Sequence, residues 1–193
     1  HHHVLESDAL RGNPLGDPSV REVPVYMPPG QPTDIPLVAV LAGFTGVGSG
    51  ALRGTPWDRS FPQRYEALLE AGQAEPCAFV FPDAFTRLGG SQYMNSGATG
   101  RYEDYLVDEI FGYVEREFGV GGCRERRGLM GKSSGGFGAL HVAFSRPDMF
   151  SAIASHSGDA YFEYAYKPDF PKLLDMIERH GSVMDFLDAF EKA

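Results

Sequence analysis

Residues 131–136, GKSSGG, have types and a spacing that could carry out nucleophilic chemistry. They follow an apolar run, precede a helical pattern and match G-x-S-x-G, in which a serine lies on a sharp turn between a strand and a helix. Glycines flank such a turn because a Cβ there would collide with the neighbouring strand and helix. By position the nucleophile is Ser133 rather than Ser134, and its hydroxyl would lie at the positive end of a helix.

The same segment could instead be a phosphate-binding loop, because Gly131-Lys132-Ser133 supplies the letters G-K-S. A Walker loop also needs a glycine five residues before Gly131, where this chain has Arg126. Residues 127–130 indicate a strand rather than a loop. The pattern therefore favours a serine nucleophile, and a Gly/Ser turn without chemistry is the remaining alternative.

The loop at residues 42–46, AGFTG, could supply the oxyanion hole that a serine nucleophile requires. It begins where the apolar run 36–42 ends, and its glycines would let the backbone approach a ligand closely. One donor would be the backbone N–H of Ser134, the residue after the nucleophile. The N–H of Phe44 is the expected second donor, and Thr45 could add a hydroxyl. The alternative is a simple surface turn.

Both loops follow segments that predict buried strands. Apolar runs predict strands at residues 36–42, 77–81, 128–130 and 150–154, and an alternating pattern predicts another at 22–27. Helical periodicity occupies residues 65–69, 102–118, 134–144 and two stretches beyond Pro171. Strands that alternate with helices predict an α/β fold with a mostly parallel sheet and helices on both faces. Ligands of such sheets bind beyond the carboxyl ends of the strands.

The composition excludes several classes of protein. The 193 residues carry a net charge of −9 and show no basic stripe, which argues against a nucleic-acid partner. No apolar run approaches the roughly 20 residues of a membrane span. Cys77 and Cys123 lack metal or disulfide spacing and are expected to be small buried residues. We expect no metal or cofactor.

The sequence suggests a short tag followed by one domain. Residues 1–3 are histidines typical of an affinity-tag remnant, and we set them aside. Residues 4–193 are expected to form a single domain, with 160–193 as a helical segment. We expect a cytoplasmic protein, or a secreted one if a signal peptide was removed, and a homo-oligomer is possible.

Six segments, in order, resemble the esterase family of α/β-hydrolases, which includes esterase-D-like enzymes, siderophore and feruloyl esterases and mycolyltransferases. They are VAVLAGFTG (38–46), FPDA (81–84), SQY (91–93), YEDYLVDEI (102–110), GKSSGGFGAL (131–140) and FSAIASHSG (150–158). Ala42 stands where the family usually has His or Asp, and Ser134 stands where it has Met. The resemblance implies a three-layer α/β-hydrolase fold and a serine enzyme.

A general base is harder to find in the sequence. His141 lies about two helical turns beyond Ser133, too far to reach its hydroxyl, and is expected to be a packed helix residue. His156 ends a short strand at the active-site edge, where it could line the pocket. His180 beside Gly181 is typical of a helix C-terminus.

The acid poses the same difficulty. Asp159 follows the last predicted strand, but in the family resembled the acid and base come after two further strands. A dyad of Ser133 with Lys132 is disfavoured because adjacent side chains at such a turn point apart. No segment after Gly158 indicates a buried strand. We therefore expect an amino-terminal part of a longer hydrolase, whose fold is incomplete at the C-terminus.

The expected activity is hydrolysis of a small-molecule carboxylic ester through an acyl-enzyme on Ser133. Trp57 and Tyr93 are aromatic candidates for substrate contacts, with Thr45, although ordinary packing is the alternative for each aromatic. Two other functions remain open. One is an acyltransferase of the mycolyl type, in which an alcohol replaces water. The other is a non-catalytic binding protein on a hydrolase scaffold.

Overall fold

The structure is a computed structural model that describes residues 1–192. The chain divides after Gly158 into two compact units, which are described separately. None of the helices within residues 1–192 is long and apolar enough to cross a membrane.

The first unit is built around a six-stranded sheet. The strands of this sheet are β1 (His2–Glu6), β2 (Val20–Tyr26), β3 (Leu37–Leu41), β4 (Ala78–Val80), β9 (Arg127–Lys132) and β10 (Ala152–His156). Four two-residue strands form two separate pairs: β5 (Phe85–Thr86) with β6 (Gly89–Gly90), and β7 (Asn95–Ser96) with β8 (Gly100–Arg101). The order across the sheet is β1-β2-β4-β3-β9-β10. Strands β4, β3, β9 and β10 are parallel, and β1 and β2 are antiparallel additions. The predicted α/β class with a mostly parallel sheet is confirmed.

Helices of the first unit connect these strands. They are α1 (Phe61–Glu70), α2 (Tyr102–Asp104), a π-helix (Tyr105–Ile110), α3 (Phe111–Phe118) and α4 (Ser134–Ser145), with 3-10 turns at Gly48–Leu52 and Arg124–Arg126. The helical run predicted for 102–118 is present, but its periodicity did not reveal the π-helix. A π-helix has about one more residue per turn than an α-helix. The apolar residues still face one side, so their spacing does not distinguish the two.

Strand β3 shows why the central apolar runs are continuous. Leu37, Ala39 and Leu41 belong to one buried cluster, together with residues of the π-helix, α3 and α4. Val38 and Val40 pack against a second cluster formed by Tyr65, Phe79 and Phe81. Alternate side chains of a strand point to opposite faces, so both faces of this strand must be apolar.

An ion pair joins α3 to β9, the strand that leads to Ser133. Arg127 Nε and one Nη donate to the two carboxylate oxygens of Glu115 at 2.5 and 2.7 Å. The two side chains are only 16% and 13% exposed. These hydrogen bonds raise the pKa of Arg127. A bidentate, largely desolvated pair of this kind is stronger than a surface pair.

We expect Glu115→Ala to lower the free energy of unfolding by about 2 kcal/mol, because it leaves the largely buried Arg127 without its partner. Urea unfolding followed by circular dichroism measures the change. Glu117→Ala, on the exposed side of the same helix, is the matched control and should stay within about 0.5 kcal/mol of wild type. Equal effects of the two variants would contradict this assignment.

The expectation that both cysteines are buried is wrong for Cys123, which is exposed, and only partly right for Cys77, which is half-buried. Cys123 lies in the loop before β9 rather than in an apolar run. Cys77 precedes β4, and its thiol lies 3.3 Å from the Pro36 carbonyl oxygen. Burial raises the pKa of the Cys77 thiol to about 12.

We therefore expect iodoacetamide at pH 8 to alkylate Cys123 at least about 100-fold faster than Cys77, since the thiolate is the reactive form. Peptide mass spectrometry over a time course gives both rates. The difference should disappear in denaturant, where both thiols are exposed. Comparable rates in the folded protein would contradict the described environment of Cys77.

Residues 1–3, set aside as a tag remnant, take part in the sheet edge. His2 and His3 lie in β1, which pairs with β2, and His3 Nδ1 lies 2.6 Å from the Tyr113 hydroxyl.

At the opposite edge of the sheet, all five residues of β10 are exposed.

The described residues of the second unit, 159–192, contain helices and no strand. The helices are α5 (Phe162–Ala165), α6 (Phe170–His180) and α7 (Val183–Phe190), with a 3-10 turn at Lys167–Asp169. The two helices predicted beyond Pro171 are present. His180 is the last residue of α6, before Gly181 at φ 93°, as expected for a helix C-terminus.

Candidate active site

Ser133 lies between the end of β9 and the first turn of α4. Its φ and ψ are 55° and −123°, a conformation that a side chain disfavours. Two backbone hydrogen bonds hold it there: the Ser133 N–H donates to the His156 carbonyl and the Phe137 N–H donates to the Ser133 carbonyl, each at 3.0 Å. The strained turn presents the Ser133 side chain at the carboxyl end of the parallel strands.

The glycines of this turn are required by close backbone contacts. A Cβ at Gly135 would lie 2.0 Å from the Leu41 carbonyl oxygen, and one at Gly131 would lie 2.3 Å from the Gly135 oxygen. Real Cβ atoms do not approach this closely, so α4 begins directly against the end of β3. This packing brings the two predicted loops together.

The loop at residues 42–46 lies beside the nucleophile. A Cβ at Gly43 would lie 3.6 Å from the Ser133 Cβ. Within residues 1–192, neither the Phe44 N–H nor the Ser134 N–H donates a hydrogen bond to another protein group. The arrangement therefore leaves two backbone donors next to the serine, as an oxyanion hole needs.

The three candidate substrate-contact residues have different positions. Thr45 is exposed in the loop, and Trp57 is 94% exposed in a turn closed by hydrogen bonds between Thr55 and Asp58. Tyr93 is only 3% exposed, so its ring packs inside the protein and offers no surface to a ligand. Its hydroxyl donates to the Ala42 carbonyl at 3.1 Å, and burial raises its pKa. Tyr93 supports the loop rather than lining a pocket.

The sequence did not predict the hydrogen bond between Gln92 and the residue that follows the nucleophile. Gln92 Oε1 accepts a 2.9 Å hydrogen bond from the hydroxyl of Ser134, which is fully buried. The only signal was the SQY segment at 91–93, which matched a family pattern but carried no assigned chemistry.

The described histidines are placed as follows. His141 Nε2 lies 3.1 Å from Oε2 of Glu103, a carboxylate that also accepts from Ser145 and Arg146. The His141 ring stacks on Phe137 at 5.7 Å. His156 touches the site through its backbone carbonyl. His141 is therefore a packed helix residue, as expected.

The candidate acid and the groups that could bind a metal lie as follows. Asp159, the candidate acid after β10, belongs to the second unit, where its Oδ2 accepts from the Tyr166 hydroxyl at 2.8 Å. Among residues 1–192, His, Cys, Asp and Glu side chains form no group of three or more that could hold a metal ion.

Comparison with known families shows which family the chain belongs to. The family model described as "Putative esterase" matches residues 18–178. The chain belongs to this esterase family. The family expected from the six sequence segments is thereby confirmed, and the match includes the turn at Ser133 and the loop at 42–46. Curated proteins gave no match to the sequence.

Solved structures of esterases share the fold. A ferulic acid esterase is 24% identical, with a TM-score of 0.68 over 82% of this chain and 58% of its own. The ferulic acid esterase of Anaeromyces mucronatus in complex with ferulic acid is 19% identical, with a TM-score of 0.66 over 84% and 58%. An S-formylglutathione hydrolase from Agrobacterium tumefaciens is 19% identical, with a TM-score of 0.60 over 79% and 56%. This esterase-family chain spans less than two thirds of each structure.

Proposed function

We propose that this chain carries the nucleophile and oxyanion hole of a serine carboxylesterase. The observation that carries the proposal is Ser133 at φ 55° between a parallel strand and a helix, beside two backbone N–H groups that have no partner among residues 1–192. Membership of the esterase family supports the reaction class. The esterases with solved structures support the fold that presents the serine.

In the proposed reaction, a general base accepts the proton of Ser133 as its Oγ attacks the ester carbonyl carbon. The carbonyl oxygen becomes an oxyanion and accepts hydrogen bonds from the Phe44 and Ser134 N–H groups. The alcohol takes the proton from the base and leaves, and the acyl group remains on Ser133. Water, deprotonated by the same base, then releases the carboxylic acid and restores the serine.

We propose that the acid and base come from outside the described residues. His141 is engaged with Glu103 away from the serine, and His156 contributes a backbone carbonyl to the turn. Triad members act as a unit, so the described residues without a base would retain only a low rate.

An exposed aromatic residue, Phe44, lies in the loop proposed to bind the oxyanion. Phe44 is 45% exposed, and a Cβ at Gly89 would lie 2.6 Å from its ring, so the ring covers the β5–β6 hairpin beside the loop at 42–46. Two of the structural relatives are ferulic acid esterases, which supports a proposal that an aryl or other apolar acyl group would lie against this ring.

Acyl-enzyme trapping tests the proposed function. The intact gene product, mixed with p-nitrophenyl esters and quenched in acid, should carry the acyl group on the peptide that contains Ser133. Methanol added at increasing concentration divides the acyl group between acid and methyl ester. Predominant release as acid supports an esterase, whereas predominant transfer to the alcohol would indicate an acyltransferase. Absence of any acyl adduct would favour a binding protein on the same scaffold.

A further inference from the structure

Residues 89–93, here called the bracing segment, lie between the two groups proposed as oxyanion donors. A Cβ at Gly90 would lie 3.0 Å from the Phe44 Cα and 3.5 Å from the Ser134 hydroxyl oxygen. The backbone at Gly90 therefore lies between the loop and the first turn of α4, where a larger residue would be tightly packed.

The bracing segment makes hydrogen bonds to both sides. On the loop side, the Gly90 N–H donates to the Phe44 carbonyl at 2.7 Å and the Tyr93 hydroxyl donates to the Ala42 carbonyl at 3.1 Å. On the helix side, the Ser134 hydroxyl donates to Gln92 Oε1 at 2.9 Å. Each proposed donor residue is thus bonded to the same five-residue segment.

The backbone of this segment is strained. Gln92 and Tyr93 have φ values of 59° and 56°, in the left-handed region that non-glycine residues disfavour by roughly 1 kcal/mol each. A strained conformation persists only where the surroundings over-determine it. Ser91 contributes by accepting from the Tyr93 N–H at 3.3 Å, and its own N–H donates to the Ala84 carbonyl at 3.2 Å. In this conformation the Gln92 side chain reaches the first turn of α4.

We propose that Gln92 is a positioning residue, which acts through the Ser134 hydroxyl to set the orientation of the Ser134 N–H in the oxyanion hole. This role rests on the proposed function. The hydrogen bond to Gln92 is made by the Ser134 side chain, and the backbone N–H of the same residue would donate to the oxyanion. The bond therefore restrains the orientation of that N–H. Ser134 stands where the resembled family has Met, a side chain that has no hydrogen to donate to Gln92.

The bond is buried at its Ser134 end, and Gln92 is half-buried. Ser134 is 0% exposed, and an unsatisfied buried hydroxyl is costly, so the Ser134 side chain keeps its partner in the folded protein. Catalysis through an oxyanion hole depends on donors that are oriented before the reaction. Loss of the restraint is therefore expected to affect the transition state more than substrate binding.

Steady-state kinetics of four variants of the intact gene product test the proposal: Gln92→Leu, Gln92→Glu, Ser134→Ala and the double variant of Ser134→Ala with Gln92→Leu. Gln92→Leu removes the acceptor, and we expect kcat to fall about tenfold while KM stays within about twofold. Gln92→Glu keeps an acceptor oxygen and should retain most of kcat. Ser134→Ala with Gln92→Leu should be no worse than either single change, because both remove the same bond. An unchanged kcat in Gln92→Leu, or multiplied losses in the double variant, would overturn the proposal.

A second readout needs no turnover and separates this proposal from the proposed function. Backbone amide resonances of Phe44 and Ser134 report the geometry directly. We expect the Ser134 amide resonance to shift or broaden in Gln92→Leu and to return toward its wild-type position in Gln92→Glu, whether or not the protein hydrolyses an ester. A Ser134 amide that is unmoved by Gln92→Leu would overturn the positioning role even in an active esterase.

Discussion

Gly135→Ala is expected to destabilise the protein by more than about 4 kcal/mol or to prevent folding. The new Cβ would lie 2.0 Å from the Leu41 carbonyl oxygen and 2.7 Å from that of Ala42, both backbone atoms of the central strand and its loop. Relief would require α4 to move away from β3, which would separate Ser133 from the loop at 42–46. Changes of this size are confined to a few mechanisms, and a backbone collision in the core is one of them. Urea unfolding measures the loss.

Gly112→Ala is the control for this change, because it makes the same substitution in α3 at a position where a Cβ meets nothing within 4 Å. Alanine is a better helix former than glycine, so this variant should be as stable as wild type or up to about 1 kcal/mol more stable. If Gly135→Ala unfolded within about 1 kcal/mol of wild type, the close packing of the turn against β3 would be contradicted.

Ser133→Ala is expected to lower ester turnover by the intact gene product at least about 1,000-fold, because the acyl-enzyme has no other site. The methyl group occupies less space than the hydroxymethyl group, so stability should hardly change. A p-nitrophenyl ester assay gives kcat/KM, and the melting temperature confirms that the variant is folded.

Ser151→Ala is the matched control for that variant. Ser151 is an exposed serine before β10, and its backbone N–H, which bonds to the Arg127 carbonyl, is retained in the variant. Turnover should be unchanged. Retention of more than about a tenth of the activity in Ser133→Ala would place the nucleophile elsewhere.

The parts of the fold that the sequence predicted are those with strong local signals. Strand β3 has alternate residues in two buried clusters, so its apolar run is continuous and easily recognised. The turn at Ser133 follows from glycine spacing, since only glycine fits where β9, α4 and β3 meet. The family resemblance drew on the same segments, and the family match confirms it.

The features that the sequence did not predict depend on contacts between distant residues. The two-residue strands β5 to β8 have no periodicity, and the bond from Ser134 to Gln92 joins residues 42 positions apart. Tyr93 was expected at the substrate, but a tyrosine can serve as a buried hydrogen-bond donor as readily as a surface aromatic. The assignments of Ser133, Phe44 and Ser134 stay predictions about chemistry, although the structure brings the three residues together.

Active-site labelling shows directly whether Ser133 is the nucleophile. The intact gene product is incubated with a fluorophosphonate probe, digested, and the modified residue is located by tandem mass spectrometry. We expect a single adduct on Ser133 that is absent from the Ser133→Ala variant and present in Ser151→Ala. An adduct on another residue, or labelling that survives in Ser133→Ala, would contradict this expectation.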